Sequence, residues 1–257
     1  MQGTNSYKKA NLLLDNFIAK NLKLYDRLRN YDYGLDDPHK YVSGLSPYIS
    51  IGLIDESYIL KTIAKQKVNN NKFIDEVLWR TYWKGWLEKR SKVWHSYRGD
   101  LGAIKSKKIY LKEKLNRALK GETNIDPFNK WIAQLVKTGY LHNHARMWFA
   151  SIWIHYFNLP WQLGANFFLE NLLDADPAVN TLSWRWVAGI QTLGKTYIAT
   201  EENINKYTFN KFFGFKLPLK KNISIEEKKP QINDIYFNQK FTLDEKSTVL
   251  IFSNNIN

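Results

Sequence analysis

Four short stretches carry the side chains whose types and spacing could do chemistry. In Tyr140–Phe149, YLHNHARMWF, two histidines, an asparagine and an arginine interrupt an otherwise apolar run. Read as a helix, Asn143, Arg146 and Met147 stand at i, i+3 and i+4 and share one face. His142 and His144 then point to nearly opposite sides, a poor geometry for chelating one metal through both rings. An arginine in such apolar company needs an anionic partner, because an unpaired buried charge costs several kcal/mol. Candidates lie in Leu172–Trp186, LLDADPAVNTLSWRW. Asp176 before Pro177 reads as an N-cap followed by a favoured first helical residue. Asp174 and Asp176 therefore sit at a helix mouth, where two carboxylates suit acid/base hydrolysis but more often serve as capping plus one salt bridge. Asn180 and Trp184 share a face of that helix at i and i+4. In EVLWRTYW, Glu76–Trp83, the residues Glu76, Arg80 and Trp83 form a stripe beside Trp79. The stripe fits a functional face or an exposed i,i+4 ion pair worth only tenths of a kcal/mol. In YVSGLSPY, Tyr41–Tyr48, hydroxyls and free amides around Ser43, Gly44 and Ser46 can hold a phosphate or cap the next helix.

The elements that must position these residues are helices. Apolar residues recur at helical spacing over 12–25, 73–89, 128–141 and 166–173. Turn signals separate them at 32–38, 44–47, 121–127, 158–161 and 174–177. There is no internal repeat, no βαβ alternation, no GxGxxG and no P-loop. The spacing predicts an all-α fold: one helical domain over residues 1–210, then a charged, irregular appendage over 211–257. Within the appendage, STVLIFS (247–253) is a possible short strand or a short sticky end.

Composition narrows the chemistry further. The 257 residues are 44% hydrophobic and 15% aromatic, enough for a sizeable core. With no cysteine, disulfides, thiolate nucleophiles, thiolate zinc sites and iron–sulfur clusters are excluded. A net charge of +14 favours polyanions such as nucleic acid, although AT-biased codon usage would also inflate lysine and asparagine. No signal peptide and no apolar window of about 20 residues is evident, so a cytoplasmic protein without membrane partners is expected.

Taken together and in this order, TGYLHNHARM, LLDADPAVN, SWRW, EVLWR and SGLSP resemble the FAD-binding helical domain of the DNA photolyase/cryptochrome family, from about Tyr25 to Thr208. The resemblance implies an all-helical bundle holding FAD in a folded conformation. Ser43, Leu45 and Ser46 match the phosphate-binding loop, with Val42 where the family usually has threonine. Tyr25 matches the tyrosine at the diphosphate, and Arg80 and Asn143 join the cofactor set. Arg146 and Asp174 match an ion pair stacked on the isoalloxazine, Asp176 a carboxylate at its edge, and Asn180 the residue facing flavin N5. Glu76, Trp79, Asn143, Met147 and Trp186 match the cavity for a cyclobutane pyrimidine dimer, where tryptophan faces hold flipped bases. A (6-4) photolyase would place histidines at Asn143 and Met147. Trp184 and Trp161 match an electron-transfer chain. Arg29, Trp79, Arg80, His144 and Lys195 match the DNA-facing set.

Three departures qualify the match. The N-terminal α/β antenna domain has no counterpart, so no antenna chromophore is expected. The outermost chain tryptophan is replaced by Lys108. His144 and Ala199 stand where many relatives carry DNA-contacting arginines. The expectation is a monomeric, antenna-less photolyase that repairs pyrimidine dimers in DNA with reduced FAD. The alternatives are a non-repairing FAD photosensor or a partner subunit of a separate antenna protein.

Overall fold

The computed structural model describes residues 7–66, 70–107, 112–192, 195–221, 223, 225 and 230–232, and those residues contain helices and no strand. In chain order the helices are α1 (Tyr7–Lys20), α2 (Tyr25–Leu28), α3 (Ser46–Ser50), α4 (Glu56–Ala64), α5 (Asn71–Glu88) and α6 (Ser91–Lys107). They continue with α7 (Lys112–Lys120), α8 (Asp126–Thr138), α9 (Asn143–Ser151), α10 (Trp161–Asn171), α11 (Pro177–Val187) and α12 (Glu201–Tyr207). The all-α reading holds. The periodic stretch 12–25 is not one helix, however: α1 stops at Lys20, and a 3-10 turn over Leu22–Leu24 leads into α2.

Local chemistry sets many of the ends. Asp55 caps α4 by accepting from the Tyr58 N–H, and Asn70 caps α5 by accepting from Phe73. Asn70 also donates to the Leu22 carbonyl at 2.7 Å, which ties α5 to the first helices. Helix α8 stops at Gly139, whose φ of +68° is the left-handed conformation that ends a helix most easily without a side chain. Its apolar stripe Phe128, Trp131, Ile132 and Leu135 is buried at i, i+3, i+4 and i+7. A π-helical turn, Ile152–Tyr156, extends α9 into the core.

Two apolar clusters organise the molecule. One joins α1 to α5 through Leu14, Phe17, Leu22, Ile59 and Phe73. The larger is built from α8 to α11 around Trp131, Trp148, Phe149, Trp153 and Trp184. The appendage predicted from 211 onward begins within this core. Phe212 is buried against Trp131, and the Lys221 N–H donates to the His155 carbonyl at 2.8 Å. The STVLIFS segment lies outside the described residues.

Candidate functional site

Asp176 caps α11, its Oδ1 accepting from the Ala178 and Val179 amides at 2.9 and 3.0 Å. One turn on, the buried Asn180 donates from Nδ2 to the Ala165 carbonyl at 2.9 Å. That bond fixes the amide and leaves Oδ1 as the group it can present. The opening stretch of α9 is also resolved by capping. His142 lies just outside the helix, and its Nδ1 accepts from the His144 amide at 3.2 Å. Burial, first of all, pushes its pKa down to about 3, so it caps the helix as a neutral ring.

Arg146 meets the partner that its setting demands. Nη1 and Nη2 donate to the two carboxylate oxygens of Asp174, both at 3.0 Å, and Nε donates to the Leu141 carbonyl at 2.9 Å. The fork-on-fork geometry is the strongest form of such a pair. Ser50, a residue that the sequence motifs did not single out, donates to the Asp174 carbonyl at 3.3 Å and accepts from Arg80 Nη2 at 3.3 Å. It joins the ion pair to α5.

The stripe on α5 does not form its local ion pair. Arg80 lies instead 3.5 Å from Asp176 and 3.7 Å from Glu56. The second distance is too long for a hydrogen bond, and Arg80 Nε is buried without a partner. Glu76 turns the other way, to Arg29 at 2.8 Å and Lys72 at 3.5 Å, both on Oε1. Tyr25 packs edge-on against Phe17 and Phe73, with its hydroxyl pushed up to about 12 by burial and then by the charge of Glu76. Spacing alone could not find Glu56 or Ser50, since their partners are distant in the chain.

The turn before α3 keeps Gly44 at φ +65°, with the His39 ring 3.4 Å from where a Cβ would stand. Ser43 Oγ accepts from the Leu45 amide at 3.4 Å, and Leu45 itself is buried, so its polar contribution is backbone. A cavity of about 160 Å³ opens beside this turn, lined by His39, Pro47, Tyr140, Leu173 and Asp174 among others.

Helix α11 packs against both α5 and α9, and so brings together the helices that carry Glu76, Trp79, Asn143, Met147 and Trp186. Trp79 is 47% exposed and stacks on Trp83 at 5.4 Å. Asn143 is exposed, and Trp186 lies half-buried on Tyr197 at 5.7 Å. Of the expected DNA-facing residues, Lys195 is exposed, but His144 is buried. Its ring stacks on Trp148 at 4.6 Å, and Nδ1 lies 2.9 Å from the Asn30 carbonyl. His144 therefore supports a loop from beneath and has no face for a phosphate; Ala199 is fully buried as well.

Trp184 is buried against Trp153 and Phe168. Its ring edge fills the space of a missing side chain at Gly164, one turn along α10 from Trp161: a Cβ there would lie 2.3 Å from Trp184 Cη2. Trp161 in turn stacks on Tyr97 at 5.3 Å, and Tyr97 meets the half-buried Trp94 at 5.3 Å. This outward run was hidden in the sequence, which offered only Lys108 at the outermost position; that residue lies outside the described residues.

Among the described residues, no group of three or more histidine, aspartate or glutamate side chains could hold a metal ion, and no helix could cross a membrane. The profile of the FAD-binding domain of DNA photolyase matches residues 73–213. The chain is 28% identical over 216 residues to a deoxyribodipyrimidine photo-lyase of Buchnera aphidicola, covering 75% of this chain and 44% of that one. It is 27% identical over 180 residues to a cryptochrome DASH of Idiomarina loihiensis, covering 68% of this chain and 39% of that one. It thus spans less than half the length of these relatives. A class III photolyase structure from Agrobacterium tumefaciens superposes with a TM-score of 0.66 at 24% identity, over 79% of this chain and 42% of that one.

Proposed function

The chain belongs to the DNA photolyase family through its FAD-binding domain, and on that premise we propose that it repairs cyclobutane pyrimidine dimers in DNA under light. The observation that carries the reading is the dimer-binding set. Glu76, Trp79, Asn143, Met147 and Trp186 come from α5, α9 and the α11 helix that packs against both, with Trp79 and Asn143 open to solvent. A sensor has no use for that combination.

The donor set fits FAD. The Ser43 and Ser46 hydroxyls with the amides around Gly44 suit a diphosphate. The Arg146–Asp174 pair, with 23% of the arginine side chain still exposed, offers a flat charged edge to a ring system. The free Oδ1 of Asn180 and the guanidinium of Arg80 complete the lining. When bound and reduced, FAD supplies the light-driven electron that opens the cyclobutane ring and receives it back. The protein's own part is to hold and orient. Trp79 and Trp186 present ring faces to flipped bases. Asn143 can pair with a thymine carbonyl. Lys72 and Arg29 both occupy Oε1 of Glu76, so Oε2 is the oxygen left to accept from a thymine imide N–H. Trp184 and Trp161 serve photoreduction, not repair. The test is the absorption spectrum of purified protein, then illumination with an oligonucleotide containing one thymine dimer. A flavin spectrum with no dimer cleavage would support a photosensor instead.

A further inference from the structure

Beside the candidate dimer site lies a surface that the repair reading leaves unused. Two loops meet there, residues 30–42 and 207–214, joined by the Asp32 N–H donating to the Tyr207 carbonyl at 2.8 Å. Tyr31 stacks on Phe209 with centroids 5.1 Å apart at 24°. Tyr33 lies 5.0 Å from Phe209 and 5.8 Å from Tyr41. Lys40 places its ammonium 4.6 Å from the Tyr33 ring centre. Phe209 is 55% exposed, far more than its size favours.

The backbone beneath is unusual. Phe209, Asn210 and Tyr41 have φ of +55°, +59° and +59°, a region that bulky side chains rarely adopt. Such conformations persist where the surroundings over-determine them, and they collect at functional sites. Here the surroundings are specific. The buried Asp32 carboxylate accepts from the Gly34 amide at 2.9 Å, and His144 props the Asn30 carbonyl from below. The rings are thus braced from below, with Phe209 exposed and Tyr31 and Tyr33 half-buried beside it.

Three features favour nucleic acid over a protein partner. Lys40 lies over one ring, and Lys137 and Lys211 line an adjoining cavity of about 430 Å³ together with Asp32 and Asp36. Protein interfaces are depleted in lysine, whereas grooves for single strands combine aromatic faces with a cationic track. Asp37 approaches Lys40 only at 4.0 Å, so it does not absorb that charge in a tight pair. The patch also starts two residues after Arg29, the partner of Glu76.

We propose that Tyr31, Tyr33 and Phe209, with Lys40 above them, form a stacking platform for unpaired bases of the DNA strand leaving the dimer site. The proposal rests on the reading that the site acts on DNA, and it names the part of the substrate that is read outside the dimer. The test needs neither light nor damage: fluorescence anisotropy of the full chain with a labelled, undamaged ~12-nucleotide oligothymidine at several salt concentrations. Phe209→Gly removes the ring while suiting the positive φ, so the fold is retained. Phe209→Gly and Tyr33→Ala should each weaken single-strand binding by roughly 5–100-fold, with little change for a fully paired duplex. Lys40→Ala should lower the magnitude of the logarithmic salt slope by about 0.7. Wild-type affinity in both ring variants would overturn the platform, as would an equal loss on duplex, even if dimer repair proceeds. A wild-type dimer in sedimentation that Phe209→Gly dissolves would assign the face to a second copy and overturn it too. A wild-type chain that binds no DNA of any kind would overturn the repair reading along with it.

Discussion

Removing the Asp174 carboxylate tests the centre of the site. In Asp174→Ala, Arg146 loses two hydrogen bonds of 3.0 Å and keeps one, from Nε to the Leu141 carbonyl. Breaking a fully buried ion pair costs about 3–5 kcal/mol. Arg146 is 23% exposed at its side chain and retains a carbonyl, so a loss of about 2–3 kcal/mol is expected. Against an m-value of ~3 kcal/mol/M, the urea midpoint should fall by roughly 1 M. The assay is urea unfolding followed by tryptophan fluorescence, with flavin content measured on the same preparations. Replacing both partners, as Arg146→Met with Asp174→Leu, should recover most of the stability, because apolar substitutes for an ion pair are often neutral. It should not recover flavin. An Asp174→Ala protein with unchanged midpoint and full flavin would refute the reasoning. So would a double variant that regains flavin together with stability, since the pair would then serve the fold alone.

Glu76→Ala should retain the flavin spectrum and lower dimer repair per absorbed photon, which a dimer-cleavage assay reads directly; unchanged yield would show that the pocket is misassigned. Photoreduction of oxidised FAD should slow in Trp161→Phe and in Trp94→Phe. Tyr97 is a poor final stop, because its buried hydroxyl has no partner to take a proton and is pushed up to about 12. Blue illumination with a reductant and absorbance detection decides this, and wild-type rates in Trp94→Phe would exclude that exit. The fold should also lose stability in acid through His142. Its folded value of about 3 lies below the ordinary 6.5, so the unfolded chain takes up the proton first. The contribution is complete above 6.5 and is lost as pH falls towards 3. By pH 5 the loss amounts to about 2 kcal/mol. Urea midpoints at pH 5 and 7.5 should therefore differ less in His142→Gln than in wild type.

How much of this was legible from the chain depends on range. Asp176 before Pro177 announces its own helix, and the structure places the cap where the dipeptide puts it. The need of Arg146 for an anion, and the carboxylates that could meet it, were also readable, because capping and desolvation are local rules. The local rule failed at Glu76 and Arg80. Their i,i+4 spacing permits a pair, but each finds a partner that only the tertiary fold supplies: Arg29 for one, and Asp176 with Glu56 for the other. His144, which the resemblance placed among the DNA-facing residues, is covered by Tyr207 and Asn30, contacts that spacing does not reveal. The Trp161–Tyr97–Trp94 run is invisible to periodicity, because its members lie on helices far apart in sequence.

The Arg29–Glu76 bridge has a consequence for how substrate recognition is shared out. Arg29 holds Oε1 of Glu76 through Nη1, so its remaining N–H groups can meet a DNA phosphate while Oε2 of Glu76 accepts from a thymine imide. Backbone capture and base recognition are then thermodynamically linked. On the repair reading, a strand that orders Arg29 also orders the carboxylate it holds, and a thymine that fixes Glu76 also fixes the guanidinium that would meet the strand. Reciprocity requires each event to favour the other by the same factor. Discrimination between damaged and undamaged strands would thus be tied to phosphate contact, so ionic strength would alter the ratio of the two affinities as well as each one separately.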